Sequence, residues 1–416
     1  MPGPAAAAGG GRPRALRILL GAFGDPGHAF PMIALGSALA GRGHQVTLQT
    51  WRRWREDVEA AGMRFEAAPE YEVFPRRDRP LKPYAAAVRA AREMAPLIAE
   101  VAPEVLVADI LTAAPALAGE RAGVPVVTLI PHVHPGGAPG FPLYSLGARL
   151  PRTAAGRGLW RTLEPRMRAG LHRGRDELNE ARARMGLPAL ERFHGGISDQ
   201  LCLVATFPQF EYPRRWPSHT HVVGPLMWEQ PAEDVEPPPG GEPLVLVAPS
   251  TSQDREHRLL RAALAGLEDL PVRVLATWNR RPPTGRPLPA PANAKVVEWV
   301  RYSTAMPQAD VVICHGGHGT VVRALASGCA VVACPAEGDM NENAARLDWA
   351  GVGVRIPRRW ATPRAVRLAV ERVLAEPEIS SRARGLADWL RVNDPGRHAS
   401  ELVEEFVAER RLPAAV

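Results

Sequence analysis

Val311-Val312-Ile313-Cys314-His315-Gly316-Gly317-His318-Gly319-Thr320 is an apolar run that ends in a histidine and a glycine-rich turn and opens into a helix near His318. The free N–H groups of a helix start and the positive end of its dipole form a cradle for a diphosphate. Glycines in the turn let the backbone approach the phosphates closely. After a second apolar run, Ala330-Val331-Val332-Ala333-Cys334-Pro335, the cluster Asp339-Met340-Asn341-Glu342-Asn343 falls where a neighbouring strand would end. In an open α/β sheet, ligands bind at that edge. A phosphate clamp beside groups that bind hydroxyls points to a nucleotide-sugar.

Outward from this stretch, strand and helix signals alternate along the chain. Strands are expected at 17–23, 44–50, 63–67, 105–110 and 124–130, with helices at 31–42, 52–61, 81–101 and 113–122 between them. Such alternation implies parallel βαβ units. A Pro/Gly-rich loop over 131–151, an Arg-rich helical stretch to about Met185 and a strand at 201–205 follow. Pro231, Pro237, Pro238, Pro239, Gly240 and Gly241 mark the clearest composition break, read as a linker. Alternation resumes with strands at 244–248, 272–277, 295–299, 311–314 and 330–334 and closes with helices at 362–376, 379–391 and 396–411. The expected architecture is α/β, with two Rossmann-like domains whose parallel sheets face across a cleft. Residues 15–226 form the first domain, 227–243 the linker and 244–395 the second, and 396–416 form a helix that packs back on the first.

A length of 416 residues supports two domains with separate cores. The formal charge of +7 rests almost entirely on Arg, since Lys occurs only at Lys82 and Lys295. Charge of this kind reads as a solvated surface, with an anionic substrate or membrane surface as the alternative. Aromatics are not interleaved with the basic runs, which argues against nucleic acid. Cys202, Cys314, Cys329 and Cys334 lie mostly in apolar runs without metal spacing, so buried reduced thiols and a cytoplasmic location are expected. Met1 to Arg14 is an Ala/Gly/Pro tail unlike a signal sequence, and no run reaches membrane-spanning length.

The first βα turn reads Gly21-Ala22-Phe23-Gly24-Asp25-Pro26-Gly27-His28-Ala29-Phe30-Pro31. It lacks the G-x-G-x-x-G spacing, and the second strand ends Gln49-Thr50-Trp51 without an acid for a ribose, so NAD and FAD are disfavoured. The turn presents His28 just before a helix with Pro31 in its first turn. Asp109 ends the strand Val105-Leu106-Val107-Ala108 on the same sheet edge. A carboxylate there can hold the imidazole in one tautomer and stabilise the imidazolium. Alternatively Asp109 caps the helix that follows, and His28 is structural. In the second half His315, set among glycines, suits a phosphate contact. Trp299 is either core or a flat surface for a base. Ser250-Thr251-Ser252 offers hydroxyls and amides to a phosphate or serves as an N-cap cluster, and Asp254 reads as a helix cap.

Taken in order, these residues resemble the family 1 glycosyltransferases of the GT-B fold, in particular the actinobacterial enzymes that decorate natural products. The likeness covers almost the whole chain and is strongest over 295–357 and 21–50, with Gly27-His28 and Gly41-Arg42-Gly43-His44. It implies an inverting transfer, with His28 as general base, Asp109 as its partner and Trp299-Val300 at the base. Ser250, Thr251, His315 and the amides of Gly316, Gly317, His318, Gly319 and Thr320 would hold the diphosphate, and Asp339 with Met340 would meet the sugar. It further implies a nucleotide-sugar donor (dTDP- or UDP-linked), a hydrophobic small-molecule acceptor between loops 68–84 and 131–150, and no metal or other cofactor. A homodimer is left open and stable membrane insertion is not expected. Two positions depart from the family pattern: Arg323 stands where a ribose-binding Glu is common, and Met340 where a Gln is common. Both lean toward a thymidine diphosphate deoxysugar. An epimerase or hydrolase of the same fold, or a non-catalytic partner of a transferase, is the competing reading.

Overall fold

The computed structural model describes residues 14–70, 84–250, 254, 256–283 and 287–411; Thr251 and most of the 68–84 loop lie outside them. Two parallel sheets carry the chain. The first has seven strands: β1 (Arg17–Gly21), β2 (Gln45–Thr50), β3 (Arg64–Ala67), β4 (Val105–Asp109), β5 (Val126–Ile130), β6 (Leu201–Val204) and β7 (Thr220–Val222), in the order β3-β2-β1-β4-β5-β6-β7. The second has six: β8 (Leu244–Ala248), β9 (Arg273–Thr277), β10 (Ala294–Val297), β11 (Val311–Cys314), β12 (Ala330–Ala333) and β13 (Gly353–Arg355), in the order β10-β9-β8-β11-β12-β13. β4, β5, β8, β11 and β12 are buried at every position, as strands covered by helices on both faces must be.

The helices of the first half are α1 (Pro26–Gly41), α2 (Arg55–Ala60), α3 (Ala85–Glu93), α4 (Ala95–Val101), α5 (Ala113–Arg121) and α6 (Ala154–Arg184). Those of the second are α7 (Arg258–Leu267), α8 (Tyr302–Ala305), α9 (His318–Ala326), α10 (Asp339–Ala350), α11 (Pro363–Ala375), α12 (Pro377–Val392) and α13 (Pro395–Arg411). Three differences from the sequence reading have plain causes. The helix expected at 31–42 starts at Pro26, whose fixed φ suits a first helical position; Pro31 lies one turn inside and lacks a single N–H. His28 therefore sits within the first turn of α1 rather than before it. The helix expected at 81–101 is broken at Met94, before Pro96. β7 and β13 were not expected, because three-residue edge strands carry no readable period; pairing with β6 and β12 makes them strands. A Cβ at Gly353 would lie 2.1 Å from the Val331 carbonyl, so this close pairing requires glycine there.

Contacts away from the cleft also join the two halves of the sequence. α13 lies against α1, and its Ala399, Val403, Phe406 and Val407 join the core under β1 and β2. Glu404 seals that contact, accepting Arg42 Nε (2.7 Å) and lying 2.7 Å from His44 Nε2. The linker is strapped down as well. Trp228 packs edge-on against Phe30, and the Glu229 carboxylate accepts the Tyr302 and Ser303 amides at 2.7 and 3.0 Å.

Candidate active site

Strand order reverses between β1 and β4 in one sheet and between β8 and β11 in the other. Chains leaving the two strands of such a pair turn to opposite faces, which opens a crevice at their carboxyl ends. His28 follows β1 and Asp109 ends β4, so the first crevice holds both. His28 Nδ1 lies 2.7 Å from Asp109 Oδ1. The other carboxylate oxygen accepts the Phe23 amide (3.3 Å) and the Thr112 hydroxyl (3.2 Å). α5 has Thr112 at its cap position and no side-chain cap, so the Asp109 carboxylate is not a helix cap. Burial alone would lower the His28 pKa. The charge and hydrogen bond of Asp109 more than offset this, Asp339 and Asp25 add to it, and the pKa lies above 6.5. With Nδ1–H donated to Asp109, the neutral ring leaves a lone pair on Nε2, the form a general base needs.

Asp339 opens α10 in the other half of the chain, yet its charge acts on His28, His132, Tyr144 and His315. His28 and Asp339 thus face one cleft. His132, after β5, stands edge-to-face with His28 at 6.1 Å and donates from Nδ1 to the Val133 carbonyl at 2.8 Å. Burial and the neighbouring His28 lower its pKa. The Tyr144 hydroxyl lies 3.3 Å from the same nitrogen. A cavity of about 130 Å³ opens next to this pair, between His134–Tyr144 and Met167 and Leu171 of α6, with Glu342 and Arg346 contributing from the second half. A larger cavity of about 410 Å³, between Arg149–Arg152 and Trp349, holds none of these residues.

In the second crevice the glycines of the β11–α9 turn are sterically required. Gly316 has φ +79°, and a Cβ there would meet the Met340 carbonyl at 3.1 Å; a Cβ on Gly317 would meet His315 Nε2 at 2.4 Å. No side chain caps α9, and Gly319 faces open space, which leaves the first-turn amides, Thr320 included, available to an anion. Burial pushes His315 down to about 4, and its Nδ1 is buried without a hydrogen-bond partner. It is therefore a neutral ring rather than a cation. The His318 ring turns away from the turn, 3.2 Å from Asn343 Oδ1 and 3.4 Å from the Ala205 carbonyl, and leaves the turn only its amide. Val300 is a core residue, 1% exposed, and offers no side chain to a ligand.

Trp299 is half-buried, with the Arg280 guanidinium 4.4 Å over its ring and Tyr302 stacked at 6.4 Å. Asn279 and Arg280 both hold left-handed φ (52° and 57°), a cost that non-glycine residues bear where surroundings demand it. Ser250 is buried at the end of β8, and Asp254 accepts the Arg258 and Leu259 amides (2.8 and 3.0 Å), capping α7. Arg323 donates to the Trp228 carbonyl at 2.9 Å and lies 3.7 Å from Glu229, so it is engaged with the linker. Sequence reasoning missed His132 and Tyr144. The available signal was the histidine directly after the apolar run of β5, at the same sheet edge as Asp109.

Residues 263–406 match the family described as Erythromycin biosynthesis protein CIII-like, C-terminal domain. The chain is 30% identical to 4'-demethylrebeccamycin synthase of Lentzea aerocolonigenes, across 94% of this chain and 99% of that protein. The chain belongs to the natural-product glycosyltransferases of the GT-B fold. This glycosyltransferase is also 28% identical to O-mycaminosyltylonolide 6-deoxyallosyltransferase of Streptomyces fradiae, across 96% and 99% of the two chains. Its fold is that of CalG4, the calicheamicin glycosyltransferase (TM-score 0.74, 23% identity, 96% and 100% covered). It is also that of VinC, solved with DTDP (TM-score 0.69, 19% identity, 94% and 99% covered). No helix among the described residues of the glycosyltransferase is long and apolar enough to cross a membrane.

Proposed function

We propose that this glycosyltransferase moves a sugar from a nucleoside diphosphate donor to a hydroxyl of a hydrophobic natural product, with inversion at the anomeric carbon. The observation that carries the proposal is the 2.7 Å His28–Asp109 contact, placed where the charge of Asp339 reaches it from the opposite domain. His28 Nε2 takes the acceptor proton as the oxygen attacks in line, and Asp109 stabilises the imidazolium. The diphosphate leaves onto the amides of Gly317 to Thr320, with neutral His315 as a further donor, and this charge stabilisation asks nothing of a metal. Trp299 takes the base, with Arg280 displaced or sandwiching it. The present 130 Å³ cavity is smaller than the roughly 300–1,000 Å³ that encloses a drug-sized ligand, so the 131–150 loop moves outward when the acceptor enters. The intact pair and this apolar-walled cavity favour transfer over an epimerase or a non-catalytic partner.

His315→Ala and Trp299→Ala weaken binding of bare TDP in calorimetry and leave acceptor affinity within about twofold, since stacking on an aromatic is worth roughly 1–3 kcal/mol. Unchanged TDP affinity in both variants would place the donor elsewhere.

The donor is a thymidine diphosphate deoxysugar. Arg323, engaged with Glu229 and Trp228, leaves no carboxylate at its position for a ribose diol. Met340 adds apolar surface to the sugar side. A sugar with fewer hydroxyls leaves fewer buried groups unpaired, each costing about 1–3 kcal/mol. Nucleoside diphosphate release, measured with and without acceptors, separates transfer from hydrolysis. In that assay kcat/KM rises from UDP-glucose to TDP-glucose to a TDP-6-deoxyhexose. A clear preference for UDP-glucose over both TDP donors would overturn this donor assignment.

A further inference from the structure

Glu211 lies just past β6, in the first half of the chain, and its side chain is 2% exposed. One carboxylate oxygen accepts the His134 amide at 2.6 Å, in the loop that walls the acceptor-side cavity. The other accepts Arg346 Nη1 at 2.8 Å. Arg346 belongs to α10, the helix that Asp339 opens, and it is the largest of the fully buried side chains. Its Nη1 also reaches the Phe210 carbonyl (3.2 Å), its Nε donates to Glu342 Oε1 (3.1 Å), and its guanidinium lies 4.1 Å over the Tyr212 ring. Arg214, 3.5 Å from the same Glu211 oxygen, completes the cluster.

A buried ion pair is a poor source of stability, because desolvation offsets most of the attraction, but it does fix geometry. This pair spans the boundary between the domains, beneath the cleft. On one side it holds the loop that begins with His132, the neighbour of His28; on the other it holds the helix that begins with Asp339. Sliding either element separates the charges inside the protein, so one arrangement is strongly preferred.

We propose that Glu211 and Arg346 are a positioning pair that sets the distance between the acceptor loop and the sugar-binding helix. They act through His132, His134 and Asp339; Glu211 lies outside the acceptor-side cavity, and Arg346, which lines it, is 1% exposed. The inference rests on the transfer reaction proposed above. It assigns the pair to the alignment of acceptor oxygen and anomeric carbon, and not to nucleotide affinity, because Trp299 and His315 lie on other elements.

The test compares Glu211→Gln, Glu211→Asp and Arg346→Lys with the native chain, the two conservative variants serving if the first folds poorly. A misplacement on the order of 1 Å costs about 10²-fold in rate. The expected result is transfer to an alcohol acceptor reduced about 10- to 100-fold in kcat, with TDP affinity within about twofold. Slow hydrolysis of the donor by water, which needs no aligned acceptor, is spared, so the ratio of transfer to hydrolysis falls. Hydrogen exchange with TDP bound quickens at residues 131–136 and 339–343 and is unchanged in β8 and β11. The pair has no positioning role if those amides exchange as in the native chain, or if transfer, hydrolysis and TDP affinity fall together. A native chain that turns over no nucleotide-sugar would instead remove the proposed function, and the exchange measurement would still decide the pair.

Discussion

His28→Ala is expected to lower kcat for transfer to an alcohol by about 10²–10⁴-fold, the usual cost of losing a general base, while TDP binding stays within about twofold. The separation follows from placement: His28 and Asp109 lie at the edge of the first sheet, and the proposed diphosphate cradle lies at the edge of the second. The pH profile gives a second readout. Asp109, with Asp339 and Asp25, holds the His28 pKa above its ordinary 6.5 despite burial. Protonated His28 cannot accept a proton, so kcat/KM rises with pH along a limb whose midpoint lies above 6.5. Asp109→Asn removes the main raising charge; burial then dominates, the limb moves to lower pH, and kcat falls because the imidazolium loses its partner. Linkage has the opposite sense for stability. A group whose pKa is raised on folding stabilises fully below its unfolded pKa and loses that contribution as pH rises through its folded pKa. Full alcohol transfer by His28→Ala, or an acid limb unmoved in Asp109→Asn, would remove the dyad from the mechanism. A phenol acceptor is a poor probe, since its proton is already acidic.

Phe406→Ala is expected to destabilise the protein by about 3–5 kcal/mol, the range for emptying a buried phenylalanine site. Phe406 is 5% exposed in the core shared by α1, β1 and β2, with the Arg410 guanidinium 3.7 Å from its ring. The chain reaches this place only after completing the second domain, so α13 clips the end of the sequence onto its beginning. Denaturant unfolding should show a lower midpoint with little change in slope. TDP affinity of the folded variant should be close to native, because α13 is remote from the second crevice. A loss under about 1 kcal/mol would mean that Arg42 and His44 on Glu404 hold the helix without the apolar contact, at the strength of partly exposed pairs.

The parallel α/β architecture was legible because every buried strand is a continuous apolar run and every turn into a helix carries its own residues. The β11–α9 turn is the clearest example, with glycines at positions where a side chain would strike Met340 or His315. The candidate pair was legible in part. Asp109 ends an apolar run and His28 follows one after a short turn, so both had to reach the same sheet edge, although α1 starts at Pro26, before the first turn expected at Pro31.

Sequence periodicity determined which residues face inward and which strand ends carry chemistry, because both are properties of a few consecutive residues. Only the tertiary structure decided what those side chains meet. The His318 ring bonds Ala205 and Asn343 rather than facing the cradle, Arg323 reaches back to the linker, and Glu211 meets Arg346 across 135 positions of chain. Such partners are chosen by how two sheets and their helices pack, and desolvation leaves a buried charge stable only where its partner arrives. No pattern within either segment encodes that meeting.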